Sequence, residues 1–255
     1  MESQNLDKET IKKHEIERLA SSIGASKRTV REKVALTCKI LFDHGHDSGL
    51  SGQITARQND GNYITQRLGL GFDEIHESNL LEVNRDLVVI DGYGIPNPAN
   101  RFHSWIYQCR EDVQCIVHTH PYYSSALAMI GKPLQVAHMD SCILYGQVGF
   151  VSKWPGVPVG NCEGELIAQA LADKKALLLA NHGLIVAGGS VEEACILALQ
   201  FERTAQLQML ALAAGDIKEL DPGLAQEAQV WTSQPARITA QFEYYVRKHL
   251  RNVQS

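Results

Sequence analysis

The spacing of the apolar segments constrains this chain most. From Gln53 to Ile90 they are short and broken by turn residues, and from Asn100 onward they alternate with stretches of helical period. The runs Gln53 to Arg57 and Asn62 to Gln66 flank Asn59-Asp60-Gly61, a turn signal that predicts a hairpin, and Leu80 to Val83 and Leu87 to Ile90 extend the same texture. Beyond them the pattern predicts a helix over 100–109, a buried strand over 115–119 and a helix over 122–130. A loop rich in Pro and Gly (154–164), a helix to Ala172, strands over 176–180 and 184–187, and a long helix over 191–214 complete it. Strands interleave with helices but without regular βαβ repeats. The expected fold is a three-layer α/β/α single domain with a mixed, largely antiparallel central sheet, not a doubly wound parallel one.

Ahead of the hairpin, Ser26 reads as an N-cap. Val30, Val34, Ala35, Cys38, Leu41 and Phe42 then recur at helical spacing up to the breaker His44-Gly45-His46-Asp47-Ser48-Gly49. Residues 1–25 are polar with weak periodicity and are expected to be a flexible arm, leaving 26–255 as the domain. At 255 residues and 44% hydrophobic content, the chain supports one substantial core. Its 24 basic and 29 acidic residues are scattered, with no basic run longer than a pair, which argues against nucleic acid and anionic membranes as partners. No stretch approaches the roughly 20 apolar residues of a membrane span, and the first 25 carry no signal-peptide pattern. A cytoplasmic location is therefore expected. The six cysteines form no CxxC pair, mostly sit in apolar runs and read as buried free thiols.

His118 and His120 end the apolar run Cys115-Ile116-Val117, two apart on an expected strand and so on one face of it. His182, in Asn181-His182-Gly183, follows the next apolar strand. Three neutral imidazoles with an open position suit zinc, manganese or Fe(II), and an open position is what catalysis needs. An HxH pair alone is as often a core or surface feature as a metal grip. Here it stands with His118-Thr119-His120-Pro121 after Arg110-Glu111-Asp112-Val113, and with Asn181-His182-Gly183-Leu184 before Gly188-Gly189-Ser190-Val191-Glu192-Glu193-Ala194. In these motifs, from about Arg31 to Ala214, the chain resembles the class II aldolase and adducin family.

That resemblance implies a fuculose-phosphate-aldolase-like fold, one divalent ion per subunit on His118, His120 and His182, and a homotetramer. It also implies Lewis-acid chemistry towards charge developing on a substrate oxygen. Two departures stand beside it. Where those aldolases place a proton-carrying glutamate, four residues before the helix histidine His103, this chain has Ala99. Their phosphate-binding places read here as Gly52-Gln53, Arg67-Leu68-Gly69 and Asn97-Pro98. Gln53, Arg67 and Asn100 are the expected substrate-binding residues, Arg67 suiting a carboxylate as well as a phosphate. His138, Asp140 and Tyr145, in the segment after the HxH helix, are the expected catalytic residues. His103 and His138 read equally well as core histidines, and Asp140 as a loop acid. Trp231, Tyr244 and Tyr245 read as parts of amphipathic helices, and His44, His46 and Asp47 as a solvated loop. The expected function is a metal-dependent carbon–carbon lyase, a decarboxylase or atypical aldolase, acting on a small unphosphorylated carboxylated or hydroxylated substrate. The alternatives are a non-haem Fe(II) dioxygenase of an aryl-pyruvate-type or hydroxy-aryl acid, and a non-catalytic adducin-head-like interaction protein.

Overall fold

The hairpin signal does what its residues dictate: Gly61 adopts a positive φ of 86°, and the Asp60 carboxylate accepts from the Asn62 N–H at 3.0 Å. This turn joins β1 (Gln53–Arg57) to β2 (Tyr63–Gln66). The computed structural model describes residues 6–24 and 26–254. Its sheet adds β3 (Leu80–Val83), β4 (Val89–Asp91), β5 (Cys115–Thr119), β6 (Val148–Val151), β7 (Ala176–Leu179) and β8 (Leu184–Gly188), in the lateral order β4-β3-β2-β1-β5-β8-β7-β6. Only β6 and β7 pair in parallel. The sheet is mixed and largely antiparallel, as expected.

Helices cover both faces because the central strands are apolar on both. Cys115 and Val117 of β5 pack with α2 (Val30–Asp43), α4 (Tyr122–Met129), α6 (Val191–Ala214) and α8 (Pro235–Gln254). Ile116, on the opposite face, packs with α3 (Asn100–Cys109) and α5 (Asn161–Leu171). Each such aliphatic side chain taken out of water stabilises by about 1.5–3 kcal/mol, which fixes the strand register wherever both faces are buried. The layers are α/β/α.

Five details differ from what the sequence led us to expect. Cys109, at the end of α3, and Cys162, in the first turn of α5, are exposed and not buried, because both stand at helix ends. The segment expected as an arm holds a helix, α1 (Lys8–Ile23), capped by Asp7 and paired through Lys12 with Glu227 of α7 (Pro222–Thr232). None of α1's residues is fully buried, so its weak periodicity concealed a helix held largely by polar contacts. Helix α2 starts at Thr29, which forms a capping box with Glu32, and not at Ser26. The β4 strand lies one to two residues later than expected, across a register shift at Glu82/Val83. β6 was not foreseen: its four residues are only half-buried at the sheet edge, where no alternation marks them.

Candidate metal centre

At the C-terminal end of β5, strand alternation carries His118 and His120 to one face. His118 is held between its Cα partners Gln53 on β1 and Ile185 on β8. The third imidazole comes from the tight β7–β8 turn. Asn181 takes φ 57°, a left-handed conformation asparagine tolerates, and the His182 N–H donates to Leu179 O at 3.1 Å. Gly183 follows because nothing larger fits: a Cβ there would lie 2.4 Å from His120 Cδ2 and 2.7 Å from Thr119 O. The ring centroids of the three histidines are 4.7 to 4.8 Å apart.

Their donor nitrogens fit a single ion. They lie within 4.8 Å of one another, with Nε2 of His118 and His120 2.9 Å apart, and two imidazoles on one zinc at ordinary bond lengths stand about 3.3 Å apart. His118 Nδ1 faces Leu184 O at 2.8 Å. Since a carbonyl only accepts, Nδ1 carries the proton and Nε2 keeps its lone pair for a ligand. Nδ1 of His182 is buried with no hydrogen-bond partner among the described residues. Burial, reinforced by the neighbouring imidazoles, holds His118 well below the usual histidine range. Burial lowers His120 too, and with His120 beside it lowers His182 to about 4. The three rings are therefore neutral at pH 7, as ligation requires. Among the described residues no carboxylate joins this group.

Beside the histidines, α3 lays polar groups over β1 and β2. His103 Nδ1 meets Thr55 Oγ1 at 2.8 Å, and Asn100 Nδ2 donates to Thr65 Oγ1 at 3.0 Å. Thr55 and Thr65 are Cα partners, and Gln53 shares their face of the sheet with His118. Thr65 spends its proton on Ile54 O, which fixes the Asn100 amide and leaves its Oδ1 as an unpaired buried acceptor. Gln53 Nε2 and His103 Nε2 are likewise buried and unpaired. Arg67 follows β2, its stem against Gly94. Asn97 Oδ1 accepts from the Ala99 N–H at the start of α3, so that side chain is used within the fold. Ala99 presents a methyl group and no proton carrier.

The other expected residues lie elsewhere. His138 caps a 3-10 turn over 139–144 by accepting from the Asp140 N–H at 3.2 Å; both side chains are more than half exposed, and the Asp140 carboxylate meets His138 and Arg203 of α6 at 3.6 to 3.9 Å. Tyr145 ends that turn, half-buried. The contacts found for His138 and Asp140 do not reach the histidine trio, so their expected catalytic place gains no geometric support. Tyr245 packs edge-on against His44, Tyr244 packs against Tyr245, and Trp231 lies under Arg237. The solvated-loop reading of residues 44–47 fails at His46, which is 1% exposed and 2.8 Å from Thr119 Oγ1. No signal in the sequence pointed inward there.

Residues 32–209 match the family model of the class II aldolase and adducin N-terminal domain. The L-fuculose phosphate aldolase of Escherichia coli O6:H1 is 32% identical over 187 residues, 71% of this chain and 82% of that protein. Decarboxylase NovR of Streptomyces niveus is 28% identical over 201 residues, 76% of this chain and 73% of that protein. The solved L-fuculose 1-phosphate aldolase from Glaciozyma antarctica PI12 superposes with a TM-score of 0.81 at 29% identity, covering 91% of this chain and 95% of that one. The fold thus defines an α/β/α protein of the class II aldolase type, with a histidine trio whose spacing fits a metal ion. The chain belongs to the class II aldolase and adducin family.

Proposed function

We propose that this protein is a divalent-metal-dependent carbon–carbon lyase, a decarboxylase or atypical aldolase, acting on a small unphosphorylated acid that also carries hydroxyl groups. The observation that carries the reading is the juxtaposition of three neutral imidazoles with a row of unpaired polar groups, next to an alanine where the sugar-phosphate aldolases hold a proton-carrying glutamate. His118, His120 and His182 would hold zinc, manganese or Fe(II), which supplies an electron sink for charge developing on a substrate oxygen. Arg67 would bind the carboxylate as a planar fork. The Gln53 amide donates and the Asn100 carbonyl oxygen accepts, so the pair suits a hydroxyl, which does both. The covering helix α3 keeps this face of the sheet dry. Loss of carbon dioxide needs no side chain to take a proton from a hydroxyl, and Ala99 offers none. The relationship to a protein named as a decarboxylase points the same way.

A carboxylate-free set of three imidazoles also suits Fe(II) with positions left for dioxygen, so the oxygenase reading stands second. Exposed Tyr122, Met129 and Ile130 on and just after α4 are compatible with a homotetramer, which light scattering measures. No helix among the described residues is long and apolar enough to cross a membrane. The deciding assay is a panel of sugar phosphates, hydroxy-aryl acids and keto acids, run with each metal, with and without oxygen. The proposal predicts turnover of a carboxylic acid without oxygen and none of fuculose 1-phosphate. Strong sugar-phosphate cleavage contradicts it, and activity confined to iron with oxygen replaces it by the second reading.

A further inference from the structure

The run His44-Gly45-His46-Asp47 looks like a ligand cluster, yet the structure sends its side chains three ways. His44 turns to Tyr245 and to Lys248 at 3.0 Å, and Asp47 accepts from the Gly49 N–H. His46 alone turns inward, with Nδ1 on Thr119 Oγ1, a side chain 73 positions later that is fully buried. Thr119 sits between His118 and His120 on β5 and faces the opposite side of the sheet from both. Its hydroxyl is thus grasped from behind, at the point where the two imidazoles on the other face must aim at one ion.

The grip is anchored. The His46 N–H donates to Leu41 O at 3.0 Å, and Asp43 at the end of α2 is bound by His249 of α8 at 2.6 Å. Farther along the same loop, Gly52 runs so close to β5 that a Cβ on it would stand 3.0 Å from His118 O. A buried imidazole is costly where a ring nitrogen goes unpaired, and His46 Nε2 has no partner among the described residues, so a well-packed apolar residue would serve a purely structural need better. We propose that His46 is a positioning residue of the metal centre: through Thr119 it fixes the end of β5, and with it the direction of the His118 and His120 nitrogens. Metal ligation tolerates errors of only about 0.2 Å, and groups that orient ligands typically carry about 10- to 100-fold in affinity.

This inference rests on the metal reading of the trio and is tested by zinc affinity, not turnover. The wild type, His118→Ala, Thr119→Val, His46→Asn, His46→Leu and the double variant His46→Leu/Thr119→Val are titrated with zinc against a chromophoric chelator, and Co(II) absorption spectra report ligand geometry. Thr119→Val keeps the shape and removes the hydroxyl. Asn retains a polar atom where Nδ1 stands. The double variant removes both polar partners and so leaves none unpaired. We expect zinc affinity to fall about 10-fold or more in Thr119→Val, His46→Leu and the double variant, with a changed Co(II) spectrum, and to stay within about 3-fold of wild type in His46→Asn. The double variant should recover melting temperature relative to the singles while remaining weak for zinc. Wild-type affinity in the double variant, or in Thr119→Val, overturns the positioning role. A wild type that binds no better than His118→Ala overturns the metal reading itself.

Discussion

Two regions of this molecule carry clustered histidines, acids or aromatics, and they differ in what fixes their direction. At the ends of β5 and β7 the backbone itself aims each ring: alternation sets His118 and His120, and a left-handed Asn181 followed by an obligatory glycine sets His182. In the segment 138–145 the groups ride a 3-10 turn on the surface: His138 Nδ1 caps it by accepting from the Asp140 N–H at 3.2 Å, and the Asp140 carboxylate meets His138 and Arg203 only at 3.6 to 3.9 Å, in solvent. The first arrangement is preorganised for one ion and buried enough to keep its rings neutral. The second holds similar groups with their side chains in solvent.

The sharpest way to break this contrast is Gly183→Ala, which puts a methyl group into the His120 ring and the Thr119 carbonyl. Something must move, and overpacking of this kind costs about 1–3 kcal/mol of stability. Because His120 is the mobile partner, zinc affinity should fall more than about 100-fold, measured by competition titration. An unchanged affinity would mean that His120 does not ligate. Arg67→Ala should act next, raising KM for the carboxylic substrate about 10-fold or more with the bound metal unchanged, as expected for a lost charge-assisted hydrogen bond.

A smaller effect concerns the ion-free protein. Burial lowers His46 and His103 to about 3, and burial with His120 nearby lowers His182 to about 4, from an ordinary 6.5. Below pH 6.5 the unfolded chain takes up protons on these residues while the folded chain does not, so acid favours unfolding. Melting temperature in chelator should be insensitive to these groups above pH 6.5, and they should lower it progressively as the pH drops towards about 4. Added zinc should raise it near neutral pH and lose that effect in acid, where protons compete for the nitrogens. The smallest effect belongs to the surface segment: His138→Ala and Asp140→Ala should leave metal content unaltered and stability within about 0.5 kcal/mol. Loss of metal in either variant would erase the distinction between the two regions.

Much of this was legible in the sequence because the relevant physics is local. Helices α3 and α6 have the ends their periodicity predicts, and β5 follows from its apolar run, so the HxH pair could be placed on one face before any coordinates. His182 was legible as the residue that follows an apolar strand, while the left-handed Asn181 and the close approach at Gly183 came from the structure. What was hidden depends on contacts distant in sequence. His46 finds Thr119 across 73 residues, and α1 reaches Glu227 across the whole domain. At His138 and Asp140 the sequence shows that a titratable pair is present but not that its side chains face water.

The central claim is that His118, His120 and His182 hold one divalent ion. Its most direct test is elemental analysis of the protein purified without added metal, joined to X-ray absorption at the edge of whatever metal is found. The account predicts one ion per chain, with three imidazole nitrogens at about 2.0–2.2 Å and the remaining positions filled by oxygen. A protein that carries no stoichiometric ion and takes none up, or an ion bound by sulfur or by fewer than three imidazoles, would contradict it.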